Sequence, residues 1–99
     1  MSTIVIAFLN FIDEAEYRTY TEKAGPIFMR EGVKLHVNDE NPHVLTAGME
    51  MDKVVVMEFR DDAHMQAFFS LPDYREAQVH RDKGARMRTV KVERFAMPG

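Results

Sequence analysis

A carboxylate set inside an apolar run is the first feature of this chain with chemistry to explain. Glu58 stands in Lys53-Val54-Val55-Val56-Met57-Glu58-Phe59, a β-branched stretch of the kind found in strands covered on both faces. A carboxylate at such a place must be paired, protonated or functional. Left alone, burial raises its pKa and suits it to acid–base work. Paired with Arg60, Lys34 or a cation from a second copy, it becomes a structural contact with a lowered pKa. His64 is the second candidate for proton transfer, as a neutral imidazole in the first turn of a helix near a pocket mouth; its bland alternative is a solvated surface histidine.

Arg81 and Tyr74 supply a binding chemistry instead. They are one heptad apart and share a helix face, so the guanidinium can clamp a carboxylate in bidentate fashion with Tyr74 as wall or donor. An arginine there can equally bond helix or loop carbonyls. Tyr17, Tyr20, Phe68 and Phe69 fall at helical spacings and can wall an apolar pocket between helices and sheet, or simply fill a core. Glu76 and His80, four apart on a helix, lack an identifiable third ligand for a metal, and His36 and His43 have no useful spacing, so no metal or other cofactor is expected. Nucleophile-elbow and phosphate-loop motifs are absent.

Bulk properties restrict these options further. The 99 residues, 45% hydrophobic and 29% charged, describe one ordinary globular domain over 1–99. A net charge of −3 with both signs scattered offers no basic face for phosphates, so nucleic acid is not an expected partner. No apolar run approaches the roughly 20 residues that span a bilayer, and Met1-Ser2-Thr3 lacks the basic flank of a signal peptide. With no cysteine to carry disulfides, a cytoplasmic location is the default expectation.

The elements that must position the candidates follow from periodicity and caps. Thr3 to Phe11 reads as a first strand. Asp13, with Glu16 reaching back to it, forms a capping box that starts a helix carrying Tyr17, Tyr20, Ala24, Ile27 and Phe28 on one stripe. Gly25-Pro26 predicts a kink or a restart, and Gly32 a left-handed stop. Val33 to Val37 alternates as a half-buried strand near a sheet edge. The long connection Asn38 to Asp52 has room for a short strand at Val44 to Thr46 and a methionine tip, Met49 and Met51, over the sheet rim. After the central strand, Asp61 or Asp62 caps a helix through Ser70. Pro72 opens another, with Gly84 just past its end. Met87 to Phe95 is the last strand.

Strand, helix, strand, strand, helix, strand is a split βαβ order: an α+β, ferredoxin-like βαββαβ domain with a four-stranded antiparallel sheet and helices on one face. Alternation sends Val55, Met57 and Phe59 to the helices, and Val54, Val56 and Glu58 to a bare face. A second copy of the chain is the simplest cover for it, so a homodimer is expected.

The combination Val55-Val56-Met57-Glu58-Phe59, Ala67-Phe68-Phe69, Pro72-Asp73-Tyr74 and Arg81, with Tyr17, Tyr20 and Pro26 in the first helix, resembles the domain of unknown function 1330 family. That resemblance implies a dimeric α/β barrel, in a superfamily with small monooxygenases, isomerases, haem-degrading enzymes and stress-responsive proteins. The oxygenase relatives rely on an Asn, Trp and His set; Asn10 and His64 are present, but this chain has no Trp. The expected function is accordingly that of a small-molecule enzyme, isomerase or monooxygenase-like, or of a non-catalytic effector-binding or stress-response module. Its ligand is small, apolar or carboxylate-bearing, and the residues meeting it are Tyr17, Tyr20, Phe68, Tyr74 and Arg81, with Glu58 and His64 as the acid–base pair.

Overall fold

Alternation along Thr3–Phe11 (β1) buries Val5, Ala7 and Leu9 and leaves Ile4, Ile6 and Phe8 half-covered on the reverse, which sets the two sides of the sheet. A computed structural model describes residues 2–96 and 98 of the expected single domain. The remaining elements are α1 (Glu14–Arg30), β2 (Lys34–Asp39), β3 (Lys53–Phe59), α2 (Asp62–Ser70), α3 (Pro72–Gly84) and β4 (Ala85–Glu93). All strand pairs are antiparallel, in the order β2-β3-β1-β4. This is the expected ferredoxin-like architecture, with the central run Lys53–Phe59 beside β1 and the helices over the Val5, Met57 and Phe59 side.

The helix termini follow their residue chemistry. Asp13 Oδ1 accepts from the Glu16 backbone N–H and starts α1, Asp61 caps α2 through the His64 N–H, and Pro72 opens α3. Gly32 takes φ 70° after α1, the left-handed conformation that glycine adopts without steric cost.

Several expectations are corrected. The Glu16 side chain does not return to Asp13; its Oε2 lies 2.8 Å from His80 Nδ1 on α3, so Glu16 rather than Glu76 is the partner of His80. Gly25-Pro26 causes no restart, since α1 runs unbroken through Pro26; Glu22 and Pro26 are both exposed, so the carbonyl deprived of a donor sits on the solvent side. Segment 44–46 is irregular, not a strand. The edge strand β2 is displaced and lengthened to Lys34–Asp39, with a register shift between Leu35 and Val37, the mark of a bulge. Its residues are exposed rather than half-buried. The final strand begins at Ala85 because α3 passes into it with no intervening loop.

Gly84 is the last residue of α3 rather than the residue beyond it. A Cβ there would lie 2.5 Å from the Tyr17 backbone nitrogen and 2.9 Å from the Asp13 carbonyl oxygen. The backbone N–H groups of Ile12 and Asp13 donate to its carbonyl at 2.8 and 3.0 Å. Glycine here permits the end of α3 to touch the start of α1, and that contact fixes the two helices carrying Arg81 and the tyrosines.

Candidate functional site

Between α1, α3 and the helix side of the sheet lies a cleft of about 120 Å³. Its floor is Ala7, Leu9, Val55 and Met57, and its α1 wall is Tyr17, Tyr20, Ala24 and Phe28. These walls are the inward phase of strands with period two and the buried stripe of a helix with period 3.6.

Arg81 is the polar centre of this apolar space. Its side chain is 12% exposed, and its Nη1 donates to the Tyr74 hydroxyl at 2.9 Å. The Tyr74 and Tyr20 hydroxyls are themselves 2.9 Å apart. Burial pushes both phenols up, Tyr20 far above the ordinary range with Tyr74 adding to the effect. They are therefore neutral hydroxyls that can donate and accept, not phenolates. The Arg81 Nη2 reaches Asp82 Oδ1 on the exposed side at 3.3 Å. Its Nε is buried and has no hydrogen-bond partner among the described residues. A guanidinium never sheds its charge and its donors are costly to leave unmade in a dry site, so this nitrogen calls for an acceptor.

Lys53, Leu35 and Asn38 also line the cleft and were not singled out from the sequence. For Lys53 the signal exists: it is in phase with Val55, Met57 and Phe59, so a strand facing the helices must carry it inward. It is 3% exposed, its Nζ lies 4.7 Å from the Tyr17 ring centre, and it donates to Glu40 Oε2 at 3.2 Å. Glu40 is held more closely by Arg18, through bonds of 2.5 and 2.7 Å. The Arg18 bond leads the effects that bring the Glu40 pKa down to about 2, followed in the same direction by Lys53. Leu35 and Asn38 carry no comparable signal, because the bulge in β2 decides which of its residues face the cleft.

The other expected site residues are dispersed. Tyr17, Tyr20 and Arg81 line the cleft and Tyr74 stands behind Tyr20, bonded to it. Phe68 lies in an aromatic core with ring centres 4.7 Å from Tyr74 and 4.8 Å from Phe28. His64 is buried, not solvated: its Nδ1 accepts from the Arg60 N–H at 3.0 Å, which leaves Nε2 to donate to the Glu31 carbonyl at 2.8 Å. The ring thereby ties the end of α1 to the start of α2. Glu58 faces the opposite side of the sheet from the cleft. Neither Arg60 nor Lys34 is its partner: Arg94 Nη2 donates to it at 2.6 Å, and His36 Nε2 lies 2.7 Å away. Arg94 foremost, then Ser2 and His36, bring its pKa down to about 2, so it is ionised at neutral pH. No cluster of three or more His, Asp or Glu side chains that could hold a metal occurs among the described residues.

On the helix-free side, Val37, Val90 and Val92 are exposed and Ile4, Ile6, Phe8, Val54 and Val56 half-exposed, one apolar face from edge to edge. No helix among the described residues is long and apolar enough to cross a membrane.

The family model described as "Domain of unknown function (DUF1330)" matches residues 2–95. The chain belongs to this family. No curated protein matches it. Among solved structures, a protein of unknown function from Rhodopseudomonas palustris is similar at 19% identity and TM-score 0.85, over 97% of this chain and 84% of that one. A dimeric ferredoxin-like protein of unknown function from Jannaschia sp. CCS1 is similar at 14% identity and TM-score 0.71, over 94% and 99% of the two chains. SnoaB, a cofactor-independent oxygenase from Streptomyces nogalater, has TM-score 0.66 at 9% identity, over 99% and 98%. Likeness at these identities is a likeness of fold.

Proposed function

We propose that this DUF1330 protein is a small cytoplasmic homodimer that binds a mainly apolar small molecule bearing a carboxylate, in the cleft between sheet and helices. The observation carrying this reading is Arg81, a mostly buried guanidinium in the lining of an otherwise mostly apolar cleft, whose Nε has no hydrogen-bond partner among the described residues. A carboxylate oxygen supplies the acceptor, and Tyr20 and Tyr74 fix the guanidinium in place by the chain of hydroxyls behind it. The homodimer is supported by the apolar sheet face and by dimeric relatives of the same fold. The cysteine-free composition is in keeping with the cytoplasmic part of the proposal.

Effector binding is favoured over catalysis by the cleft lining, in which no Asp, Glu or His occurs among the described residues. Glu58 is across the sheet and His64 is committed at both nitrogens, so neither is placed in the proposed site. An isomerase or monooxygenase-like enzyme is the second reading. One feature favours it: the Arg81–Tyr74–Tyr20 hydrogen-bonded chain presents a donor that can stabilise developing negative charge on a bound oxygen.

Calorimetric titration with hexanoate and its neutral counterpart hexanamide tests the proposal. Wild type is expected to bind hexanoate, and Arg81→Met to lose about tenfold or more in affinity, as the loss of a charge-assisted hydrogen bond implies. Hexanamide should bind more weakly than the acid. Equal binding of acid and amide, or an Arg81→Met protein that folds and keeps full hexanoate affinity, would overturn it.

A further inference from the structure

Arg81 borders two spaces, not one. Toward β3 lies the cleft; toward β4 a groove of about 390 Å³ opens along the sheet edge, and Met87 lines both beside Arg81. Sequence spacing builds this groove. Val5 lies in the inward phase of β1, and Met87 and Thr89 in that of β4, where they pair with Leu9 and Ala7. Met65 and Phe69, four apart on α2, share one helix face, as do Gln78 and Arg81, three apart on α3. The groove is therefore apolar along the sheet and α2, with Gln78 at its α3 wall and Thr89 at the strand edge.

The guanidinium in the partition has one donor to spare. Its Nη1 goes to Tyr74, and its Nη2 lies 3.3 Å from Asp82, which balances the charge on the exposed side. What stays unmet is the buried Nε, which has no partner among the described residues. Lys91 also lines the groove, but it is already matched with Asp62 at 3.3 Å. No Asp or Glu lines either space among the described residues, so an acid held at Arg81 meets no like charge in the walls.

The two spaces take unlike groups. An apolar cavity of about 150 Å³ holds a benzene ring. The cleft, at about 120 Å³, falls short of that and suits a slim alkyl chain, whereas the groove has room for a ring. Phe69 offers that ring an aromatic neighbour, and Met65 and Met87 offer thioethers, which pack well at ring edges.

We infer that the ligand is an acid branched next to its carboxylate, with a short alkyl arm in the cleft, a ring-bearing arm in the groove and the carboxylate at Arg81 between them. This rests on the proposed carboxylate site at Arg81 and adds the groove as the feature that selects the second arm. An unbranched acid fills the cleft alone and leaves the groove to water.

Calorimetry with 2-benzylhexanoate beside hexanoate separates the two claims, since the acids share the carboxylate and the alkyl arm and differ by the benzyl group. Wild type should bind the branched acid about tenfold or more tightly, as burial of a ring implies. Thr89 is exposed on the edge strand, a place where an aromatic side chain suits the backbone. Thr89→Phe should fill the groove, erase the preference and leave hexanoate affinity unchanged. Gln78→Phe fills the groove from α3 and should do the same, so the inference stays testable where one variant fails to fold. Branched-acid affinity equal to or below that of hexanoate in wild type, or folded variants that keep the preference, would overturn the branched-acid inference while leaving the Arg81 site standing. Failure of both acids to bind would remove the underlying site as well.

Discussion

Glu58 shows how a single residue's role is decided by its neighbours. As a carboxylate in a β-branched run it is compatible with an elevated pKa and acid catalysis, but Arg94 and His36 converge on it and hold it ionised. The sign of its linkage follows. A pKa lowered from 4.5 to about 2 in the folded chain stabilises the fold fully above the ordinary carboxylate value, and that contribution disappears as pH falls toward 2. Urea midpoints measured between pH 6 and about 2 should therefore fall less steeply for Glu58→Gln than for wild type; parallel profiles would deny Glu58 this role. Arg81 and Tyr74 were legible in the sequence because heptad spacing alone puts them on one helix face. Lys53 was legible only through strand phase, and its pairing with Glu40 was not, since Glu40 belongs to the long connection whose path no local pattern determines. His64 could not be read either: its two partners, the Arg60 N–H and the Glu31 carbonyl, come together only when α1 and α2 end at the same corner.

At the scale of elements, the period of two along β3 and the capped stripe of α1, with the succession of strands and helices along the chain, were enough to give the helix side and the bare face. What the pattern did not carry was the behaviour of weakly constrained segments. β2 lies at an edge and is exposed throughout, so little burial fixes its register and a bulge moves it. The expectation for Gly84 as a helix terminator was reasonable by position, yet its lack of a side chain serves the contact with Tyr17, a long-range fact invisible to local spacing. The bare face of the sheet supports a direct test of assembly. Val56→Asp places a charge at the middle of that face without touching the helix-side core, and should turn a dimer into a monomer in sedimentation equilibrium. A wild type that is monomeric at tens of micromolar, or a variant that stays dimeric, would exclude this face as the interface.

In the whole molecule, the sheet has two unlike faces. Its covered side holds the cleft with Arg81, Lys53 and the tyrosines; its open side holds the apolar surface with Glu58, Arg94 and His36. On the proposed function, ligand contact and subunit contact fall on opposite faces, with the strands β1 and β3 common to both. The proposed function depends above all on an acceptor reaching the buried Arg81 Nε. A crystal structure of the protein soaked with hexanoate tests this most directly. The predicted result is a carboxylate oxygen within hydrogen-bonding distance of Arg81 Nε, with the alkyl chain against Leu9, Val55 and Tyr17. An acid bound outside the cleft, or a cleft whose Arg81 Nε is satisfied by the protein's own groups with the acid excluded, would contradict it.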